Sequence, residues 1–218
     1  MSVRTNIRTW VFDLDNTLYP APALYDEIGA RMTAYIARKL SLASAEAQEL
    51  RERYFHQYGA TVVGLARHHA IEAADFLREV HIADHSVLMP DHELRALIAQ
   101  LPGRRIIYTN GGGGHGERVL ESLGLNAVFD AVYDIEACDL IPKPMRESYE
   151  RFLAASGVEA AQAMFIEDTL RNLEPAHELG FTTALVGPVH PEPKPPYVDH
   201  WAPDVKALLR LALGAETR

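Results

Sequence analysis

A chain of 218 residues, 48% of them hydrophobic, can bury a sizeable core as one large domain or a core with a smaller insert, which excludes a disordered tail protein. A formal net charge of −9 excludes the broad positive field of a nucleic-acid or anionic-membrane binder, so an anionic substrate requires a local attraction. No apolar run approaches the ~20 residues of a membrane helix, and "MSVRTNIRT" carries no apolar leader segment. The one cysteine, Cys138, cannot close an intrachain disulfide and suits a reducing compartment. No cationic pattern surrounds it, so a structural thiol is favoured over a nucleophile. A soluble, cytoplasmic protein is expected.

"TWVFD" predicts the first strand, and it is followed at once by "LDNTLYP". Two aspartates, Asp13 and Asp15, close this apolar run one residue apart. A carboxylate at the edge of a core is costly unless it is paired or metal-bound, so this strand end is the first candidate for chemistry.

From residue 21 to 89 only helical patterns appear. "ALYDEIGARMTAYIARKL" spaces Leu24, Ile28, Met32, Tyr35 and Ile36 at helical intervals, and "SAEAQELRERYFHQYG" opens on Ser44 as N-cap and stops at Gly59. "TVVGLARHHAI" and "IEAADFLREVH" predict two more helices.

Beyond residue 90, helices and short β-rich runs alternate: "DHELRALIAQL", "RIIYTN", "HGERVLESLG", "AVYDI", "MRESYERFLAASG", "AMFIED", "LRNLEPAHELG" and "TTALVG". Strands alternating with helices of about ten residues imply right-handed βαβ units and a parallel sheet. The proline-rich "GPVHPEPKPPYVD" predicts an extended surface connection before a last helix, "APDVKALLRLAL". The fold class is therefore α/β, a Rossmann-like parallel-sheet core over residues 1–20 and 90–218 with an all-helical insert over 21–89. Ligands of such sheets bind beyond the carboxyl ends of the strands, where Asp13, Asp15, Thr109, Asn110, Glu167 and Asp168 all fall.

"FDLDNTL" matches the pattern hhhDxDxT, and here the chain resembles the haloacid dehalogenase superfamily of phosphohydrolases. The later motifs of that family follow in order: "IIYTN" ending in Thr109, Lys143 in "IPKPMRESYERF", and the acidic pair Glu167-Asp168 in "MFIEDTLRN". The resemblance implies that Asp13 is the nucleophile and Asp15 the general acid and base. Thr109, with Asn110 and Gly111, would hold the phosphoryl oxygens, and Lys143, just before a helix with Pro144 at or near its first turn, would supply the local cation. It further implies a Mg²⁺ site formed by Asp13, the Asp15 backbone carbonyl and Asp168, hard oxygen donors that suit this ion. Many relatives carry Asp-Asp or Gly-Asp where this chain has Glu167-Asp168, which leaves open whether Glu167 binds the metal directly. Asn172 is a weaker candidate for orienting that shell.

The helical insert corresponds to the C1 cap of the family. "YFHQYGATVVGL", "DFLREVHIADHSVLMPD" and the "DNTLYP" form of the first motif resemble the pyrimidine 5'-nucleotidase branch. The implied activity is hydrolysis of a small phosphorylated substrate, a pyrimidine nucleoside monophosphate such as UMP or CMP. Tyr58 is the substrate-binding candidate in the cap, with Tyr25, Tyr54, His56 and Gln57 beside it. A broad sugar-phosphate or phosphoglycolate phosphatase stays open as an alternative, as does a phosphate-sensing protein without turnover. Dehalogenation is disfavoured because it has no use for Asp15. A zinc site at His81 and His85 or His68 and His69 is disfavoured without a HExxH pattern. "GGGG", Gly111 to Gly114, lacks the lysine and hydroxyl residue of a P-loop.

Overall fold

The computed structural model describes residues 6–20 and 22–214. The expected start of the insert at Ala21, and residues 1–5 and 215–218 assigned to the core, lie outside the described residues. Six parallel strands form one sheet: β1 (Thr9–Phe12), β2 (Arg104–Tyr108), β3 (Ala131–Tyr133), β4 (Ala163–Glu167), β5 (Thr182–Val186) and β6 (His200–Ala202). Their order is β3-β2-β1-β4-β5-β6, so the winding reverses between β1 and β4. A crevice opens at such a switch point, at the carboxyl ends of the strands.

Strand alternation sorts the side chains into two layers. Trp10 and Phe12 of β1, Ile107 of β2 and Ile166 of β4 face one cluster. It is covered by α5 (His92–Ala99), α6 (His115–Ser122) and α9 (Val205–Ala212). Val11, Ile106 and Phe165 face the other layer, which is covered by α7 (Arg146–Ser156) and α8 (Leu170–Glu178). Strands β1, β4 and β5 are buried along their whole length, as central strands covered on both faces must be.

Between β1 and β2 run α1 (Pro22–Leu40), α2 (Ser44–Tyr58), α3 (Thr61–His69) and α4 (Ala73–Val80). They share a separate apolar cluster that includes Tyr35, Ile36, Leu50, Tyr54, Leu65 and Phe76, joined from the sheet side by Ile135. Gly59 ends α2 at φ 80°, the left-handed turn that only glycine takes without strain.

Pro144 stands near the first turn of α7, immediately before its N-cap Met145. Two local expectations are corrected. Ser44 is the first helical residue, because the N-cap is Ala43, whose N–H is received by the Glu46 carboxylate at 3.0 Å. The proline-rich tail is more than a connection, for it delivers β6 to the edge of β5, pairing Leu185 with Trp201.

Candidate active site

Asp13 and Asp15 follow β1, Thr109 and Asn110 follow β2, and Glu167 with Asp168 close β4, so the switch point brings all six to one rim. Lys143, from the loop before α7, reaches into the same place. Its ammonium donates to Asp13 Oδ1 at 2.7 Å, to Glu167 Oε2 at 2.9 Å and to the Tyr108 carbonyl at 2.9 Å. The Nζ also lies over the rings of Tyr108 and Phe165, 5.1 and 5.3 Å from their centroids. The loop is clamped by Asn110, whose carboxamide accepts from the Lys143 N–H at 2.8 Å and donates to the Lys143 carbonyl at 3.0 Å. The Asn110 side chain is therefore spent on placing the lysine, and only its backbone remains for a substrate oxygen.

The electrostatics of this cluster are unbalanced. Burial first, then the Glu167 carboxylate, push Asp13 up to about 7 against the pull of Lys143. Burial raises Glu167 and Asp168 as well. For Lys143 burial acts downward, but Asp13 and Glu167 prevail and hold the ammonium above the usual lysine range. One ammonium among these acids leaves excess negative charge in a dry place, where like charges raise one another's pKa. Among the described residues, Asp13, Glu167 and Asp168 form the one group of three whose potential ligand atoms lie within 4.8 Å of one another. The oxygen donors and their elevated pKa values fit a hard divalent cation.

Within the pair that closes β4, the two carboxylates are engaged differently. Glu167 Oε2 is held by Lys143, and Oε1 accepts from the N–H groups of Asp168 and Thr169 at 3.2 and 3.1 Å. Asp168 is half-buried and lines the cleft, with one long contact of 3.4 Å from the Thr169 hydroxyl. Thr109 is buried, and its Oγ1 accepts from the Gly111 N–H at 3.0 Å, which leaves its own O–H to donate elsewhere.

Asp15 is held by two residues that sequence reasoning missed. His115 Nε2 lies 2.9 Å from Asp15 Oδ1, and the Tyr19 hydroxyl bonds the same oxygen. Burial raises the Asp15 pKa, but these neighbours outweigh it and hold the carboxyl below its ordinary value. An ionised carboxylate with one oxygen anchored can exchange a proton at the other.

A family model described as haloacid dehalogenase-like hydrolase matches residues 7–180. The chain belongs to that family. It is 29% identical over 193 residues to phosphate metabolism protein 8 of Saccharomyces cerevisiae. That match takes in 79% of this chain and 59% of the yeast protein, so the chain spans well under two thirds of its relative's length. Among solved structures, the HAD phosphatase of Thermococcus onnurineus superposes with a TM-score of 0.63 at 18% identity, covering 96% of this chain and 99% of that one. L-2-haloacid dehalogenase of Xanthobacter autotrophicus gives 0.61 at 20%, over 96% and 100%. The HAD-hydrolase YfnB of Bacillus subtilis, solved bound to magnesium, gives 0.59 at 18%, over 95% and 99%. At these identities the superpositions establish a shared fold.

In this HAD-family hydrolase the cleft, about 770 Å³ in volume, runs from the rim to the helical insert. Tyr58 does not line it. Its hydroxyl turns away to His68 Nε2 at 2.5 Å, and Tyr54 is buried against His69. His56 and Gln57 are also absent from the lining, which on α2 comprises Ser44, Gln48, Arg51, Glu52 and Phe55, with Tyr25 on α1. Phe55 is 46% exposed, and the Arg171 guanidinium lies 5.7 Å from its ring centroid. Asn172 lines the cleft too, with its Oδ1 unpartnered among the described residues. Gly111 makes room for His115, since a Cβ there would meet its Cδ2 at 2.9 Å. Burial pushes the Cys138 thiol up, the reverse of activation.

Proposed function

We propose that the chain is a Mg²⁺-dependent phosphomonoester hydrolase working through an aspartyl phosphate on Asp13. Asp13 Oδ1 is held by Lys143, and Oδ2, free of hydrogen bonds among the described residues, is the oxygen that attacks phosphorus. A bound phosphate places negative charge beside Asp15 and favours its protonated form, and as the P–O bond to the leaving oxygen breaks, Asp15 gives that oxygen this proton. Asp15, now a carboxylate, takes a proton from a water that attacks the phosphoryl group, releasing phosphate and regenerating Asp13. The Thr109 hydroxyl and the Asn110 N–H donate to the phosphoryl oxygens, the Gly111 N–H holds Thr109 Oγ1 in place, and Lys143 neutralises charge that spreads over those oxygens. Asp13, Asp168 and the Asp15 carbonyl would hold Mg²⁺, which supplies electrostatic stabilisation of the phosphoryl group. Glu167 serves chiefly to hold Lys143 and the turn after β4.

The observation that carries this reading is Asp15, half-buried two residues beyond the Asp13 carboxylate and fixed by two side-chain donors. Displacement of a halide requires no such acid. A relative named for phosphate metabolism agrees with it.

Within this class we favour pyrimidine nucleoside monophosphates. Residues 21–89 form the cap domain in this reading, and the core over 1–20 and 90–218 reads only the phosphate. The cap wall offers an aromatic face at Phe55, against which the Arg171 guanidinium of core helix α8 lies, and an amide and a carboxylate at Gln48 and Glu52, groups that stack on a base and bond its edge. The buried, unactivated thiol of Cys138 suits a cytoplasmic location, and no helix among the described residues is long and apolar enough to cross a membrane.

The test is phosphate release from UMP, CMP, AMP, GMP and phosphoglycolate, with and without Mg²⁺. UMP or CMP should exceed the purine nucleotides in kcat/KM by at least ~10-fold, the ratio given by ~1.4 kcal/mol of differential transition-state binding. Equal values, or a preference for phosphoglycolate, would discard the nucleotidase assignment and keep the phosphatase. Hydrolysis of none of them would remove both.

A further inference from the structure

We propose that His115 is a positioning residue that, together with Tyr19, pins Asp15 by one oxygen so that the other faces the leaving group. The inference rests on the phosphomonoester reading of the site.

Both anchors meet the same atom. His115 Nε2 and the Tyr19 hydroxyl bond Asp15 Oδ1, and Oδ2 takes no hydrogen bond among the described residues. An aspartate's terminal torsion is broad and two-fold, so a free carboxyl would spread its proton-bearing oxygen over several directions. Two donors on one oxygen remove that freedom and leave Oδ2 toward the cleft, which Asp15 lines.

The imidazole is itself fixed on every side. His115 is 2% exposed and begins α6 directly after the glycine run. His81 lies against it with ring centroids 4.9 Å apart, and His85 at 5.7 Å. Each of these rings donates through Nδ1 to a carbonyl, His81 to Leu77 at 2.9 Å and His85 to Ala83 at 2.8 Å, because a carbonyl can only accept. The His115 Nδ1 is buried and has no partner among the described residues. The tautomer with the proton on Nε2 leaves no buried N–H unmatched, and it is the one that donates to Asp15. Gly111 completes the fit, since any side chain there would strike the imidazole.

His81 ends α4, in the helical insert, while His115 begins α6 on the sheet. The tilted ring contact therefore ties the insert to the acid and base of the core. The arrangement serves direction rather than binding, because the imidazole's side-chain hydrogen bond goes to Asp15 and not to a group proposed to hold the phosphoryl oxygens.

The test compares phenyl phosphate with para-nitrophenyl phosphate, two esters of like shape whose leaving groups differ in their need for a proton. The ratio kcat/KM covers the steps through transfer to Asp13, where Asp15 acts as acid. His115→Leu should lower kcat/KM for phenyl phosphate at least ~10-fold more than for para-nitrophenyl phosphate, since general acid catalysis as a whole is worth about 10²–10⁴-fold. His115→Gln, whose amide N–H can approach the Nε2 position, should recover part of that gap, and Tyr19→Phe should open it in the same direction. A residue that only stabilises the fold would depress both esters alike. Equal losses on the two esters in His115→Leu overturn the inference, and if that variant does not fold, equal losses in Tyr19→Phe and His115→Gln overturn it instead. A wild-type enzyme that hydrolyses neither ester removes the phosphomonoester reading and this inference with it.

Discussion

Lys143 Nζ lies 2.7 Å from Asp13 Oδ1 although 130 positions separate the two residues in the chain. The same ammonium reaches Glu167 Oε2 at 2.9 Å, so one cation joins the ends of β1 and β4 across the switch point. Lys143→Met should leave these buried carboxylates uncompensated. Removing one partner of a buried ion pair typically costs about 3–5 kcal/mol, and a fall in the thermal midpoint measured without metal checks it. Turnover should also drop by at least ~10²-fold, as expected when a preorganised positive charge beside developing negative charge is lost. Since Mg²⁺ would replace part of the missing charge, its addition should raise the midpoint more in the variant than in the wild type.

The acidic pair yields a second expectation. Both oxygens of Glu167 are occupied, by Lys143 and by two backbone N–H groups, whereas Asp168 is half-buried at the cleft. Asp168→Ala should therefore weaken Mg²⁺ binding, read by calorimetry or by the metal-induced rise in thermal midpoint, more than Glu167→Gln does. The opposite ranking would make Glu167 the direct ligand. Loss of the metal contact at Asp168 should also appear as a higher Mg²⁺ requirement for turnover.

A third expectation concerns stability away from the site. Asp91 Oδ1 accepts from the Leu94 N–H at 2.9 Å, capping α5, and Oδ2 accepts from Lys206 of α9 at 3.0 Å. Burial acts upward on its pKa, but the backbone bond to Leu94 and the Lys206 ammonium win and lower it from 3.8. A carboxyl with a depressed folded-state pKa contributes stability that is complete above its unfolded value and lost as pH falls through the folded one. Asp91→Ala should cost about 1–2 kcal/mol near neutrality, mostly the cap, because the partly exposed ion pair adds little. The gap between wild type and variant should narrow below about pH 4, the ordinary aspartate range, in denaturant titrations run at a series of pH values. A gap that does not change with pH would show that the charge contributes nothing.

The convergence of the core motif residues was legible because all but Lys143 stand at the end of a β-rich run, and parallel strands with helical crossovers align their carboxyl ends whatever lies between them. The cap side chains were not, because a helix has two usable faces and the sequence does not say which one packs. On α2 the stripe Ala47, Leu50 and Tyr54 is buried, and Tyr58 follows Tyr54 by one turn onto that side. The opposite stripe, Gln48, Glu52 and Phe55, faces the cleft. Choosing aromatics by type thus selected the buried face. His115 was missed for a related reason: a histidine opening a helix carries no pattern of its own, and its meaning comes from a strand tip 100 residues earlier in the chain. Strand β6 escaped because three residues in a proline-rich tail show no alternation, and the open edge of β5 supplies the pairing.

The sharpest test of covalent chemistry at Asp13 is a rapid-quench experiment with a phosphomonoester carrying radiolabelled phosphate, in the presence of Mg²⁺. Acid quench within a single turnover, followed by proteolysis, should place a hydroxylamine-labile phosphoryl group on the peptide that contains Asp13 in the wild-type enzyme. The Asp13→Asn variant, with neither nucleophile nor metal-binding carboxylate, should show no label and a turnover lower by several orders of magnitude. Label on the Asp13→Asn variant, or more than a tenth of wild-type turnover in rigorously purified variant, would contradict the assignment of Asp13 as nucleophile.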